Sequence, residues 1–409
     1  MAKALFLSLP LHGHINPSLP LVRELVARGD EILYYSAEAF AAKVEQTGAR
    51  YRPYRNAFLA DITRLPERLE ELSWLLMQVT DDLLAHDLDA LRAERPDYLI
   101  ADSIAPWGQW LGEALGVPVV TSVSTFAINR RVLAYALSHG VRPKSPRIVL
   151  SKMRHIAKSI WLGRRLSRRH GVKGPGITGL VYGRSDLNIV YTSSLFQPFA
   201  DTFDDRFQFV GPTLAPLDQV REKPPAETAG PSRKPALVYV SLGTLFNADA
   251  TFYGNCFEAF RDMDVQAIMS IGSNVSAASL GQPPPNVSVQ PYVPQLEVLQ
   301  RASAFVTHGG MNSVSESLYY GVPLVVIPQM GEQETVGRRV EELGAGLYLA
   351  KRDVTAARLR ESVGRALAES RFREQAAVVQ QSFRAAGGAA RAADAVVAFT
   401  GRQRTGGSE

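Results

Sequence analysis

A strand–helix–strand rhythm that runs twice, with one proline-rich break between its two runs, constrains this chain more than any other feature. Leu5-Phe6-Leu7-Ser8-Leu9 reads as a short buried strand. Asn16 followed by Pro17 opens a helix striped by Leu21, Val22, Leu25 and Val26, and Gly29 closes it. Glu31 to Tyr35 is the next strand, which completes a βαβ unit within about 35 residues and implies a parallel sheet. The rhythm returns at Tyr98 to Ala101 and at Val117 to Ser122. Then Ala215 to Pro235 carries Pro216, Pro224, Pro225, Pro231 and Pro235 without periodicity, which reads as a linker. The pattern restarts at Ala236 to Ser241 and continues at Val265 to Ile271, Ala304 to Thr307, Leu324 to Ile327 and Gly346 to Ala350. The expectation is an α/β protein of two doubly wound domains, residues 1–214 and 236–385, joined by a linker at 215–235. In such sheets ligands sit beyond the carboxyl ends of the strands, so two facing domains would place their sites across a shared cleft.

Composition narrows the class. The chain has 409 residues, 46% hydrophobic and 21% charged, with a net charge of +5, an ordinary globular balance. Cys256 is the single cysteine, which excludes an intrachain disulfide and a thiolate zinc site. No apolar run approaches the ~18 residues of a membrane helix. The opening residues lack a signal-peptide cleavage pattern, so a cytoplasmic protein, monomer or homodimer, is expected. The cationic excess gathers at Lys152, Arg154, Lys158, Arg164, Arg165, Arg168, Arg169 and Lys173, with no acidic residue between. A solvated helix face is the simpler reading; the rival is an anionic surface contact through Met153, Ile156, Ile160 and Trp161. No aromatic-interleaved basic motif is present, so no nucleic-acid partner is expected.

Two stretches carry chemistry. Phe305-Val306-Thr307-His308-Gly309-Gly310-Met311-Asn312-Ser313-Val314-Ser315-Glu316 reads as a strand, a two-glycine turn and a helix beginning near Met311. Glycines admit a phosphate to the backbone, and a helix N-terminus offers N–H groups and partial positive charge; the same glycines equally serve a tight turn. His308, Asn312 and Glu316 share one face only if the helix reaches back to His308. In the first half, His14 follows the first strand at the carboxyl edge of the sheet. A histidine there suits a general base for a hydroxyl, with His12 as a rival and an incidental loop histidine as the plain alternative. Asp102 follows the strand Tyr98 to Ala101 and reads as a helix N-cap, as the carboxylate that orients a base histidine, or as both.

The run His308-Gly309-Gly310-Met311-Asn312-Ser313, Glu316, Gly321-Val322-Pro323, Pro328, Glu332-Gln333 resembles the donor signature of family 1 glycosyltransferases. Tyr292-Val293-Pro294-Gln295, Ser241-Leu242-Gly243-Thr244 and Gly13-His14-Ile15-Asn16-Pro17 extend the resemblance over essentially the whole chain, nearest in style to bacterial macrolide- and flavonoid-accepting UDP-glycosyltransferases. The resemblance implies the GT-B fold and a last helix, residues 386–402, returning to the N-terminal domain. It implies that Tyr292 stacks on the base, with Val293 and Gln295 nearby. His308, Asn312 and Ser313, with backbone at Gly243, Thr244 and Gly310, would hold the diphosphate. Glu316 would bind the ribose, and Glu332 and Gln333 the sugar hydroxyls. His14 would be the base and Asp102 its partner.

Candidates for an apolar acceptor pocket are His12, Trp74, Met77, Trp107 and Phe126, each of which serves equally well as core. The expected reaction is inverting transfer of a sugar, glucose from UDP-glucose in the first instance, to a hydroxyl of a hydrophobic macrolide, flavonoid or other phenolic. No cofactor or metal is expected, the nucleotide sugar being a co-substrate, because no dense carboxylate cluster stands out. The alternatives are a TDP-deoxysugar donor, a different enzyme on the same fold, or a nucleotide-sugar-binding protein without transfer activity.

Overall fold

Each run of alternating strands and helices forms one parallel sheet. The computed structural model describes residues 1–61, 69–139, 146–175, 185–214, 235–243 and 247–406. The first sheet comprises β1 (Lys3–Leu7), β2 (Glu31–Ser36), β3 (Arg50–Pro53), β4 (Tyr98–Asp102), β5 (Val119–Val123), β6 (Leu187–Val190) and β7 (Phe207–Phe209), in the order β3-β2-β1-β4-β5-β6-β7. The second comprises β8 (Ala236–Ser241), β9 (Val265–Ser270), β10 (Val287–Gln290), β11 (Ala304–Thr307), β12 (Leu324–Val326) and β13 (Gly346–Tyr348), in the order β10-β9-β8-β11-β12-β13. Both are doubly wound Rossmann-like sheets, as expected. Their strand order reverses between β1 and β4 in one and between β8 and β11 in the other.

The strands of a parallel sheet bury both faces, and the side-chain alternation shows it. In β1, Leu5 and Leu7 join a core with Leu33, Leu99, Ala101, Trp107 and Trp110 on one face. Ala4 and Phe6 join Tyr34, Ile100, Val120 and Ile189 on the other. The chain divides into two compact units, Met1–Leu133 with Arg142–Ala215 and Ala386–Glu409, and Pro216–Ala385 with Ala134–Val141. The short stretch Ala134–Val141 therefore departs from the expected boundary at 214. The last helix, Gly388–Gly406, belongs to the first unit. It buries Ala392, Ala393 and Val396 beside Leu21, Val22 and Leu25 of the first helix, and Asp394 pairs with Arg28 at 2.7 Å. Of the expected linker, all but Pro235 lies outside the described residues.

The first helix spans His12–Ala27 and so begins four residues before the Asn16 cap expected from the sequence. Pro17 and Pro20 lie inside it. The nitrogen of Pro17 cannot donate to the Gly13 carbonyl, but this early in the helix the flanking turns carry the geometry. His12 and His14 are therefore held in a first helical turn rather than in a loop.

Close approach of the helix Trp107–Leu115 to the sheet depends on its glycines. A Cβ at Gly108 would overlap Ala101 Cβ, and one at Gly112 would overlap Val119 Cγ2. Alanine gains up to ~1 kcal/mol of helix propensity, but overpacking costs about 1–3 kcal/mol and the overlap is with the sheet itself. Gly108→Ala is expected to destabilise the first unit, read as a lower midpoint in urea; an unchanged or higher midpoint would contradict the packing.

Candidate active site

The candidate side chains of the first unit meet where the order of its sheet reverses. The chain leaves β1, turns through Ser8 to Leu11 and enters the first helix, which carries His14 in its first turn. β4 is hydrogen-bonded beside β1 and ends on Asp102. His14 Nδ1 lies 2.8 Å from Asp102 Oδ2, with the carboxylate side chain 2% exposed and the imidazole 13%. Asp102 Oδ1 accepts the Ile104 N–H at 2.9 Å, so the carboxylate also caps its own turn. The helix that follows begins at Trp107 with Pro106 as its N-cap, so Asp102 does not cap it as expected but closes the turn before it, while its other oxygen faces His14. A carboxylate only accepts, so the proton sits on Nδ1 and the lone pair on Nε2.

Tyr34, Tyr54 and Tyr191 stand around the carboxylate, and burial, with a smaller contribution from Asp102, pushes each phenol up. A residue not picked out from the sequence completes the group: Ser124, just past β5, places Oγ 2.9 Å from the same Nδ1. Serines are common at strand ends, and only the pairing of β5 with β4 brings this one to His14.

His12 does not share the pair. It packs edge-on against Phe40 at 4.9 Å, and burial with nearby Lys43 lowers its pKa. The acceptor-pocket candidates separate as well. Trp107 is fully buried and Met77 is 2% exposed, both within the core under the sheet. These two are corrected from pocket lining to core, because large apolar side chains gain most by complete burial. Phe126 is buried against Phe196, with ring centroids 5.6 Å apart. Trp74 is partly buried, with the Lys158 ammonium 6.0 Å from its ring. In the basic helix Pro146–His170, Leu162 and Leu166 face the core, while Trp161 is 57% exposed under Arg165. Trp161 thus lies on the cationic face and not with an apolar one; the side chains of Met153 and Ile156 lie outside the described residues.

The second unit repeats the arrangement at its own reversal. β8 ends at Ser241 and runs into Leu242 and Gly243; β11, paired with β8, ends at Thr307 and runs into His308, Gly309 and Gly310. The next helix is Met311–Tyr319, with Gly310 as its N-cap and no side-chain cap, and Val314 makes the first helical bond back to Gly310. The N–H groups of its first turn thus point outward without an intrahelical acceptor. His308 precedes the helix, so the one-face alignment of His308, Asn312 and Glu316 does not form; His308 stands at the helix mouth instead.

Two glycines hold the His308 ring. A Cβ at Gly243 would lie 2.6 Å from Cε1, and one at Gly310 would lie 2.5 Å from Nε2. Gly243 also has φ +78°, which favours glycine. Burial lowers the His308 pKa to about 4, against a smaller opposing effect of its hydrogen bond with the Ser241 backbone, so the ring is neutral near pH 7. Gln295, at the start of the preceding helix Gln295–Leu299, reaches Glu316, Nε2 to Oε2 2.6 Å, and Ser313 Oγ at 3.3 Å. Burial pushes the Glu316 carboxyl up to about 7, and the Gln295 amide offsets only part of this.

Tyr292 is 79% exposed and available for stacking, whereas the Val293 side chain is buried. Gln333 is buried, and its Oε1 accepts from the backbone N–H groups of Gln329 and Met330, at 2.8 and 3.2 Å, so a ligand would meet its Nε2. Glu332 is exposed beside it. Thr244 lies outside the described residues. Asn247 was not picked out from the sequence: fully buried, it donates to the Gly243 carbonyl at 2.9 Å and accepts from Asn274 at 2.7 Å, tying the turn after β8 to that after β9. Among the described residues no three histidine, cysteine or carboxylate side chains gather as a metal-binding group. No helix there is long and apolar enough to cross a membrane.

Comparison with known proteins bears on the family and the fold. Residues 255–398 match the family model of the erythromycin biosynthesis protein CIII-like C-terminal domain. The chain is 36% identical over 404 residues to the NDP-glycosyltransferase YjiC of Bacillus licheniformis, covering 96% of each chain. It is 32% identical to the demethyllactenocin mycarosyltransferase of Streptomyces fradiae, over 97% of this chain and 86% of that one. Among solved structures, CalG4, the calicheamicin glycosyltransferase, superposes with a TM-score of 0.80 at 31% identity, covering 98% of this chain and 99% of that one.

The packing of His308 is testable by itself. Gly310 has φ −62°, which any residue adopts, so alanine there disturbs only the ring. Gly310→Ala is expected to displace His308 toward solvent and raise its pKa from about 4 toward the ordinary histidine value, followed by NMR titration of the ring protons. An unmoved titration would show that the glycines do not confine the imidazole.

Proposed function

We propose that this chain, which belongs to family 1 of the UDP-glycosyltransferases and has their GT-B fold, transfers glucose from UDP-glucose to a hydroxyl of a hydrophobic small molecule such as a macrolide or flavonoid, with inversion. The His14–Asp102 pair at 2.8 Å carries this reading, because a buried carboxylate on Nδ1 serves a histidine that takes a proton on Nε2. The names of the demethyllactenocin and calicheamicin enzymes support a natural product as acceptor.

As the acceptor oxygen attacks the anomeric carbon, its proton passes to His14 Nε2, and Asp102 stabilises the imidazolium that results. The bond from the anomeric carbon to the diphosphate breaks on the opposite face, and UDP leaves with the electron pair. The N–H groups of the Met311–Tyr319 helix, with Asn312 and Ser313, meet the charge on the diphosphate. His308 enters as a neutral ring, contributing a dipole rather than a cation unless the bound anion draws a proton onto it. These groups supply the electrostatics without a metal, so transfer is expected to persist in a chelator. Tyr292 stacks on the base, and Glu316 accepts from the ribose hydroxyls.

The first test is mass spectrometry of reactions with UDP-glucose and a panel of phenols, flavonoids and macrolides, with and without chelator. One hexose gained by an acceptor, and lost in His14→Ala with UDP affinity intact, is the expected result. Full turnover by His14→Ala would overturn the assignment of the base. Product with TDP-sugars only would move the donor to the thymidine class.

Glu316 gives nucleotide binding a pH dependence. Its carboxyl is half protonated at about pH 7 in the free protein, and ribose hydroxyls bind the ionised form better. UDP affinity is therefore expected to fall severalfold as pH drops from about 8 to 6, measured by calorimetry, and Glu316→Gln to flatten the curve. A wild-type curve that rises toward low pH would instead point to proton uptake at His308.

A further inference from the structure

The His14 imidazole has two oxygen neighbours at Nδ1, not one. Asp102 Oδ2 lies at 2.8 Å and Ser124 Oγ at 2.9 Å, and Ser124 is 3% exposed. A ring nitrogen carries at most one proton. Were Nδ1 bare and the serine donating to it, its lone pair would face the carboxylate at hydrogen-bond distance, an arrangement the buried charge disfavours. The remaining arrangement is a shared bond, Nδ1–H donating to both oxygens.

The sheet makes this sharing rigid. Asp102 pairs in register with Ser122 on the adjacent parallel strand, and the Ser103 N–H donates to the Ser122 carbonyl at 3.0 Å. The two acceptors thus stand at the ends of neighbouring strands, Asp102 as the last residue of β4 and Ser124 one residue past β5, where backbone bonds set the separation. One acceptor alone leaves the ring free to swing about the Nδ1–oxygen axis; a second, off that axis, removes the freedom.

Resting on the reading of His14 as the base, we propose that Ser124 is a positioning residue of the reaction: its Oγ shares the His14 Nδ1–H with Asp102, locking the tautomer and turning Nε2 toward the acceptor hydroxyl. The other titratable groups around the pair are Tyr34, Tyr54 and Tyr191 beside Asp102, all held neutral by burial, and His12 with Lys43 on the exposed side. None of these supplies a second acceptor to Nδ1 in the structure.

An oxygen that accepts from Nδ1–H favours the imidazolium over the neutral ring, so its removal lowers the pKa of the base. Ser124→Ala is expected to reduce kcat about fivefold while both KM values stay within about twofold. The acidic limb of the kcat profile is expected to move to lower pH by about half a unit. Asp102→Asn would move it in the same direction and further. An unmoved limb would reduce Ser124 to a packing role, and a shift to higher pH would mean that the serine donates; either overturns the proposal. Should the variant fail to fold, ¹⁵N NMR of histidine-labelled wild type decides, with Nδ1–H expected at His14 and Nε2–H as the contrary result. His14→Ala run in parallel keeps the two failures apart. Retained turnover there sinks the base assignment, whereas lost turnover with an unmoved Ser124→Ala limb sinks only this inference.

Discussion

The reversal of strand order in each parallel sheet is the constraint on which the rest depends. Neighbouring parallel strands usually send their connections to opposite faces only once in a sheet, and there the loops at the carboxyl ends splay apart. In the first sheet the two strands at that point are β1 and β4, and their ends deliver His14 and Asp102. In the second they are β8 and β11, and their ends deliver Gly243 and His308. Each pair of residues is remote in sequence, 88 positions apart for His14 and Asp102, and adjacent because backbone hydrogen bonds fix the strands. Chemistry at these points needs no further folding energy beyond what the sheets already supply.

The two histidines show how environment divides one side chain into two roles. Both stand near the start of a helix that follows a strand. His14 is given a buried carboxylate 2.8 Å away, which in the proposed reaction stabilises the cation formed when the ring takes a proton. His308 is given a backbone carbonyl and two glycine backbones, and burial leaves it neutral with a pKa of about 4. For the proposed reaction each set of neighbours matters: a carboxylate beside His308 would repel the diphosphate, and His14 without Asp102 would be a weakly oriented base.

Much of this was legible from residue order. The βαβ rhythm, the two domains, and the glycine turn before Met311 follow from periodicity and turn chemistry, because strands and helices in α/β sheets are short and sharply bounded. Four strands escaped, β3, β6, β7 and the four-residue β10, Val-Ser-Val-Gln. β3 reads Arg-Tyr-Arg-Pro at a sheet edge, and β7 is only Phe-Gln-Phe. β6 holds a buried Asn188 whose amide donates to the carbonyls of Ser185 and Arg206, a polar break that only tertiary structure explains. The helix start was misplaced because Asn16-Pro17 is a sound cap in isolation, yet Leu11 to Ile15 were already bonded as helix. Trp107 and Met77 show the limit of reading pockets from sequence: an aromatic or a methionine on a helix beside a sheet looks the same whether it lines a cavity or fills a core.

Ser124, Asn247 and the glycines around His308 were invisible for a deeper reason. Their contribution lies in where they stand relative to a residue far away in sequence, not in their chemical type. Ser124 matters because β5 lies beside β4; Asn247 because the turn after β9 brings Asn274 to it; Gly310 because the ring of His308 occupies the space a side chain would take. Residue type announces the groups that perform chemistry, since few side chains can carry a proton or a charge. The residues that hold those groups in place are drawn from the commonest types, and only the three-dimensional neighbours separate them from ordinary serines, asparagines and glycines. In the proposed site, a donor turn fixed by an absent side chain and a base fixed by a plain hydroxyl are therefore the parts that composition and spacing leave unmarked.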